Sequence, residues 1–460
     1  MSLVHTRNTS PTSQRGIALL VTMCFMLALV IAVGSYISLC YRSLQMSTRN
    51  MNSNHSVELA EMGMEEALWA LNKSTWTGWG VTGTTATKTL SGFTYDNGAT
   101  GTASLTVTNY DGSLAGTPRT VTVTGTMTQS DGTTSSRTLT SSAAQAPLFT
   151  NAVAATGLSS SLAGAGTVVF SSAGTADSYD SSLGSYASQT PTYSAIIAGM
   201  KTSPTAASVT ITNAQIKGYV ASNYSGGPSY STSARLLGSA TAIPVAYQGT
   251  NPANSKVDVR QFSSSPYQPT FDIRTISGGT TLSAPGNNTT TTLGNATDTT
   301  WAVYRYASLD LRGSTKIVIN GPVRLIVPGT FYIGLYGGAS TASIEVSSTG
   351  TLEVFTASDI AIYGNGMNNT SKDPKRMALF STNAGTAPDM NTTADFYGVI
   401  YTPNGNFKIL SSNAIYGAIV ANSLTISGSP AIHYDLELRD VVFPGIDTPF
   451  AVSGWREITN

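Results

Sequence analysis

The chain has 460 residues, of which 10% are charged, with 24 Lys and Arg balancing 24 Asp and Glu. No basic excess exists to neutralise phosphates, which excludes electrostatically driven nucleic-acid binding, and the length predicts two or more domains. Hydrophobic residues at 41% exclude wholesale disorder, while 44 glycines among abundant Ser and Thr predict many short strands joined by tight turns.

The first predicted elements are a polar leader over 1–16, ending Gln14-Arg15-Gly16, and a long helix over 17–72. From Ile17 to Tyr41 no residue is charged. A helix of that length rises about 37 Å, enough to cross a hydrocarbon core roughly 30 Å thick. The run is too long for the apolar region of a cleaved secretory signal, and no small-residue cleavage site follows it. Cys24 and Cys40 are the only cysteines. About 24 Å apart along one helix, they cannot bond to each other. They read as small apolar fillers, lipidation of Cys40 at the membrane edge being the alternative. Arg7 and Arg15 before the run balance Arg42 and Arg49 after it, so flanking charge does not orient it.

Beyond the apolar run the helix continues without proline. Val57, Ala60, Met64, Ala67, Leu68 and Leu71 recur at helical spacing, a stripe expected to dock the soluble domain. Beside it Glu58, Glu61 and Glu65 form an acidic row. Such a row is ordinarily a solvated face; the sharper reading is an assembly contact with basic residues of another subunit.

A polar leader, a basic residue, Gly16 and an unbroken apolar helix together resemble the class III signal of type IV pilins and pseudopilins. In that family a prepilin peptidase cuts after the glycine, here at the Gly16–Ile17 bond. The segment from Leu59 to Leu68, Leu-Ala-Glu-Met-Gly-Met-Glu-Glu-Ala-Leu, is similar to the helix exit of PilX-type pilus-assembly proteins. This resemblance covers about residues 14–72. Most pilins carry Glu at the fifth position after the cut, where it pairs with a neighbour's N-terminal amine; this chain has Val21. A carboxylate inside the bilayer costs on the order of 2.5–3.5 kcal/mol and persists where it has a partner. Its absence points away from an ordinary mid-filament subunit and toward a minor or tip component.

From 73 to 146 a small antiparallel domain is expected. Period-2 runs at Ala103–Thr108, Arg119–Met127 and Ser136–Thr140 are separated by turns at Asp111-Gly112 and Asp131-Gly132. Trp69, Trp76 and Trp79 are expected to pack the helix end onto this domain rather than mark a membrane interface.

After Pro147 short apolar runs are broken by Gly, Asn and Ser. Phe396-Tyr397-Gly398-Val399-Ile400-Tyr401 recurs as Ile415-Tyr416-Gly417-Ala418-Ile419-Val420, each followed by a second strand. Two short strands per unit of about 19–20 residues predict a parallel β-helix (β-solenoid) over 147–445, a two-sheet sandwich being the alternative. The Ala431–Asp435 ending looks like the close of a solenoid domain often joined to PilX-type N-termini. Residues 446–460 read as a C-terminal tail. The fold class expected is α+β, mainly β.

Chemistry is sparse. His5, His55 and His433 are the only histidines, none at metal-ligand spacing, and no Gly-x-Ser-x-Gly elbow is present. Asp389, Asn391 and Asp395, and Asp177 with Asp180, are the nearest carboxylate clusters; both read as turns. Lys372, Lys375 and Arg376 make a basic knot in what is ordinarily a solvated loop; the sharper reading is a contact with an acidic glycan or a neighbour's glutamate row. No catalytic, cofactor or metal site is expected. The leading expectation is a non-enzymatic minor pilin-like protein of the bacterial inner membrane, single-pass, with its C-terminal part periplasmic or extracellular. It would act in type IV pilus or type II secretion-like filament assembly or in surface adhesion. Expected partners are the membrane, other pilin-like subunits, the assembly platform, a prepilin peptidase and a surface glycan. The rival is a membrane-tethered β-helix carbohydrate-active enzyme, a hydrolase or lyase.

Overall fold

The computed structural model describes residues 12–458 apart from 74, 112–117, 146, 202–206, 223–228, 231–234, 239–240, 243–277, 336–337, 339, 386–388, 442 and 444–449. The chain forms two compact units, one of residues 1–144 with 450–460 and one of 145–449.

The first unit is built on helix α1, Thr12–Lys73. It begins inside the expected leader, so the Gly16–Ile17 bond lies within continuous helix rather than at its start. Among the described residues it is the one helix long and apolar enough to cross a membrane. Most side chains from Ile17 to Met46 are exposed. From Asn52 onward one face is covered by strands β1 (Gly80–Thr82), β2 (Thr85–Thr94), β3 (Thr100–Thr108), β4 (Arg119–Thr128) and β5 (Thr134–Gln145). Each pairs antiparallel with the next, as the alternating runs and the Asp131-Gly132 turn predict; the expected turn at Asp111-Gly112 passes out of the described residues at Gly112.

The helix face that docks is turned slightly from the expected stripe. Leu59, Ala60, Met64, Ala67, Ala70 and Leu71 are buried, whereas Val57 and Leu68 are only half-buried. Small residues allow β4 to approach the helix backbone. A Cβ on Gly125 would lie 2.0 Å from the Ser56 carbonyl oxygen and 2.8 Å from the Ala60 nitrogen. Leu105, Val107, Val121, Val123 and Met127 complete this core. Trp76 and Trp79 pack edge-on at 5.2 Å, and Trp76 meets Tyr110 at 4.7 Å, as expected of the helix end. Trp69 instead stays exposed.

The expected C-terminal tail is a strand. Phe450–Ile458 becomes the sixth strand of this sheet, next to β5. The Phe450 amide donates to Asn72 Oδ1, Arg119 lies over the Phe450 ring at 4.3 Å, and Arg137 meets Glu457 at 3.0 Å. A domain boundary read linearly misses this return, because the strand's partners lie more than 300 residues earlier.

The second unit is dominated by parallel pairing. A four-stranded sheet joins Thr290–Leu293, Lys316–Ile319, Ser343–Val346 and Gly366–Asn369 in parallel. In the larger sheet Leu325 lies beside Val354, Val354 beside Leu379, Leu379 beside Ile400 and Ile400 beside Ile419, all buried. Partners are thus 29, 25, 21 and 19 residues apart. The period of about 19–20 residues holds only at the last step; insertions in the connections lengthen the earlier ones.

The ladder does not follow chain order. Beyond Ile419 its next neighbour is Val153, followed by Ile197 and then Val220. Strands from Thr280 to Asp435 therefore form one stack, and strands from Val153 to Gly238 continue it from the far side of Ile415–Ile426 and Ala431–Asp435. The chain enters and leaves this unit at the join between the two stacks.

Candidate functional site

The densest chemistry lies at that join. In the strands Phe396–Ile409 and Ile415–Ile426, Phe396 and Ile415 point inward, which sends Tyr397 and Tyr416 to the opposite, half-buried face. Register places Tyr397 beside Tyr416, Tyr416 beside His433 and His433 beside Asp177. The two phenol rings stack at 4.1 Å and 3°, and His433 follows at 4.7 Å from Tyr416. Such close strands need a small residue after each tyrosine. Gly417 has φ +141°, and a Cβ there would sit 1.8 Å from the Gly398 carbonyl oxygen.

His433 Nδ1 is 2.6 Å from Asp177 Oδ1, and both side chains are nearly buried. Tyr186 donates to Asp177 Oδ2 at 2.8 Å and lays its ring 3.8 Å from the imidazole. At the other end of the row Lys372 Nζ stands 5.9 Å above the Tyr397 ring. Burial raises the pKa of Tyr179, Tyr186, Tyr397 and Tyr416, with nearby carboxylates adding to it. These phenols stay protonated, Tyr186 as a hydrogen-bond donor, and are not phenolate nucleophiles.

Beneath the row, Asp435 lies beside Tyr179 in register. Asp435 Oδ1 accepts from the amides of Ser181 and Glu437, 3.0 and 3.2 Å away. Asp435 Oδ2, Tyr179 Oη and Ser181 Oγ are buried without hydrogen-bond partners. Burial pushes the Asp435 carboxyl above its ordinary range, against the opposing pull of the Ser181 side chain, of its amide bonds and of Lys375. A raised folded pKa means that the folded state holds a proton the unfolded chain has lost. Stability therefore falls as pH rises from the ordinary carboxylate pKa through the raised value. Asp435→Asn should make the protein more stable than wild type above that window, with the difference shrinking as pH falls through it. Denaturant titrations of both proteins across the acid range check this; an unchanged gap would mean that Asp435 is not buried as a charge.

The expected basic knot is only partly free. Asp373 caps the short helix Pro374–Arg376, Arg376 donates to the Ser348 carbonyl oxygen at 3.0 Å, and Lys375 meets Glu437 at 3.6 Å. Lys372 and Lys375 thus belong to the edge of the aromatic row, while Arg376 is turned to structure. Asp389 accepts from Tyr363 Oη, Asn391 is exposed and Asp395 accepts from the Ala414 amide. Asp180 caps a turn as expected, but Asp177 sits in the strand Thr175–Tyr179. Glu58, Glu61 and Glu65 are exposed on α1, with Glu58 at 2.9 Å from His55. Among the described residues no three His, Cys, Asp or Glu side chains are grouped to hold a metal.

Sequence reasoning set aside His433 and Asp177 and did not weigh Tyr179, Tyr186 or Asp435. The Tyr-Gly repeat carried the signal for half the row. His433 and Asp177 are 256 residues apart, and no local pattern joins them. Residues 262–441 match the family model of a domain of unknown function, DUF7305, which covers Tyr397, Tyr416, His433 and Asp435 but not Asp177. No curated protein and no solved structure matches the chain.

Proposed function

We propose that this is a membrane-anchored, non-enzymatic minor pilin-like protein, acting in the assembly of a type IV pilus or type II secretion-like filament or in adhesion. The observation that carries the proposal is α1: one uninterrupted helix whose run from Ile17 to Tyr41 is uncharged and largely exposed, and whose C-terminal part is clasped by an antiparallel sheet. An apolar surface that long is costly in water and favourable in a bilayer or among other apolar helices. The parallel ladders read best as a β-solenoid, in which like residues such as Ile400 and Ile419 stack from coil to coil. Its aromatic row, edged by Lys372 and Lys375, is the part of that solenoid best equipped to meet a partner or a surface glycan.

Co-expression with a prepilin peptidase tests the reading. The mature protein should begin at Ile17, and Gly16→Leu should leave the leader in place; an intact Met1 terminus beside an active peptidase would overturn the pilin assignment. Because Val21 stands where filament subunits carry Glu, sheared filaments should contain the protein only as a scarce species by quantitative mass spectrometry. Stoichiometric abundance there would defeat the minor-component reading. Turnover of a polysaccharide panel, abolished by Asp389→Ala or Asp395→Ala, would favour the enzyme instead.

A further inference from the structure

A groove of about 690 Å³ runs between α1 and the turn joining β4 to β5. Its helix wall starts at Tyr41, the last residue of the uncharged run, and rises through Leu44, Gln45, Thr48 and Arg49 to Asn52 and Ser53. We propose that this groove holds the headgroup of an anionic phospholipid from the outer face of the bilayer that α1 crosses; the inference rests on the membrane-span reading of Ile17–Tyr41.

Height along the helix supports this occupant. The headgroup layer adds roughly 5–8 Å on each side of the hydrocarbon core. Leu44 to Thr48 lie about 4–11 Å beyond Tyr41 at 1.5 Å per residue, and the Arg49 backbone about 12 Å beyond it, so its side chain must reach back about 4 Å or more to enter the layer. Side chains on a helix tilt toward its N-terminus, so Arg49 is directed back toward the bilayer. Tyr41 and Leu44 are exposed and supply an apolar foot continuous with the spanning run.

Charge and unfilled hydrogen bonds support it too. Arg49 and Arg137 line the groove against a single carboxylate, Asp131. Asp131 Oδ1 accepts from the amide and hydroxyl of Thr133, and Arg137 is shared with Ser53 and Glu457. Arg49 has no partner among the described residues and is left for a phosphate. Asn52, at the floor, is fully buried with neither amide atom hydrogen-bonded. As it stands the Asn52 amide has no surface open to the groove, so a headgroup hydroxyl or water fills those bonds only if the side chain swings outward.

The test uses the full-length protein in nanodiscs of mixed phosphatidylglycerol and phosphatidylcholine, with native mass spectrometry reading the lipids retained. Wild type should retain phosphatidylglycerol over phosphatidylcholine by about fivefold, the equivalent of about 1 kcal/mol for one arginine near an anionic surface. Arg49→Gln should remove that preference, and Arg49→Lys should restore much of it. Equal retention of the two lipids by wild type, or a preference untouched by Arg49→Gln, overturns the inference. Two copies per disc that exclude lipid from the groove would do the same and assign the groove to a second chain. Carbonate extraction separates the layers of the argument. Protein that leaves the bilayer defeats the membrane-span reading and this inference together, whereas embedded protein with no lipid preference defeats the inference alone.

Discussion

Replacing Gly125 by valine should prise β4 from α1 and destabilise the first unit by about 3 kcal/mol or more, at the upper end of overpacking costs. The reason is the kind of atom met. A Cβ at Gly125 would collide with the Ser56 carbonyl oxygen and the Ala60 nitrogen, which are helix backbone and cannot rotate aside. Either the helix bends or the sheet retreats, and retreat uncovers Leu59, Val121, Val123 and Met127. Hydrogen exchange on the full-length protein in detergent checks this. Amides of β3 and β4 should lose protection in Gly125→Val, while those of the described strands of the second unit keep it. Unchanged exchange in β4 would show that the close approach is not required.

Ile419→Ala should cost about 2–5 kcal/mol, the range for deleting a buried branched side chain with incomplete collapse of the cavity. Its effect should spread further than that of Ile317→Ala. Ile419 is fully buried at the join, with Ile400 on one side and Val153 on the other, whereas Ile317 lies near one end of its ladder. In a stack governed by nearest-neighbour coupling, damage at the join weakens both arms, and damage near an end weakens little beyond itself. Exchange rates should therefore rise in both 153–220 and 377–426 for Ile419→Ala. A rise confined to one arm would contradict the observed ladder order.

Local pattern carried much of this architecture and failed wherever distant segments meet. The alternation in Arg119–Met127 and the Asp131-Gly132 turn after it marked the meander, because a strand's period and a turn's chemistry are written in consecutive residues. The repeat at Tyr397 and Tyr416 marked a parallel register, because the two strands are neighbours in both chain and ladder. Phe450–Ile458 lacks such alternation, with Phe450, Ala451 and Val452 apolar in a row and Arg456 and Glu457 both charged, and nothing near it names β5 as its neighbour. His433 and Asp177 failed for the same reason: each looks ordinary until the join of the two stacks brings them within 2.6 Å. Lys375 and Arg376 were legible as basic residues, but their engagement by Glu437 and Ser348 was not.

The order of strands at the join also sets a timetable for synthesis. Val153–Ala155 leaves the ribosome early and finds Ile197–Gly199 on one side soon afterward. Its other edge must wait for Ile419–Ala421, some 260 residues later. At about 5–20 residues per second, that edge stays unpaired for roughly 13–50 s. An open parallel edge of Val and Ala is a template for a second nascent chain. Cells making this protein should depend on a holding chaperone during that interval.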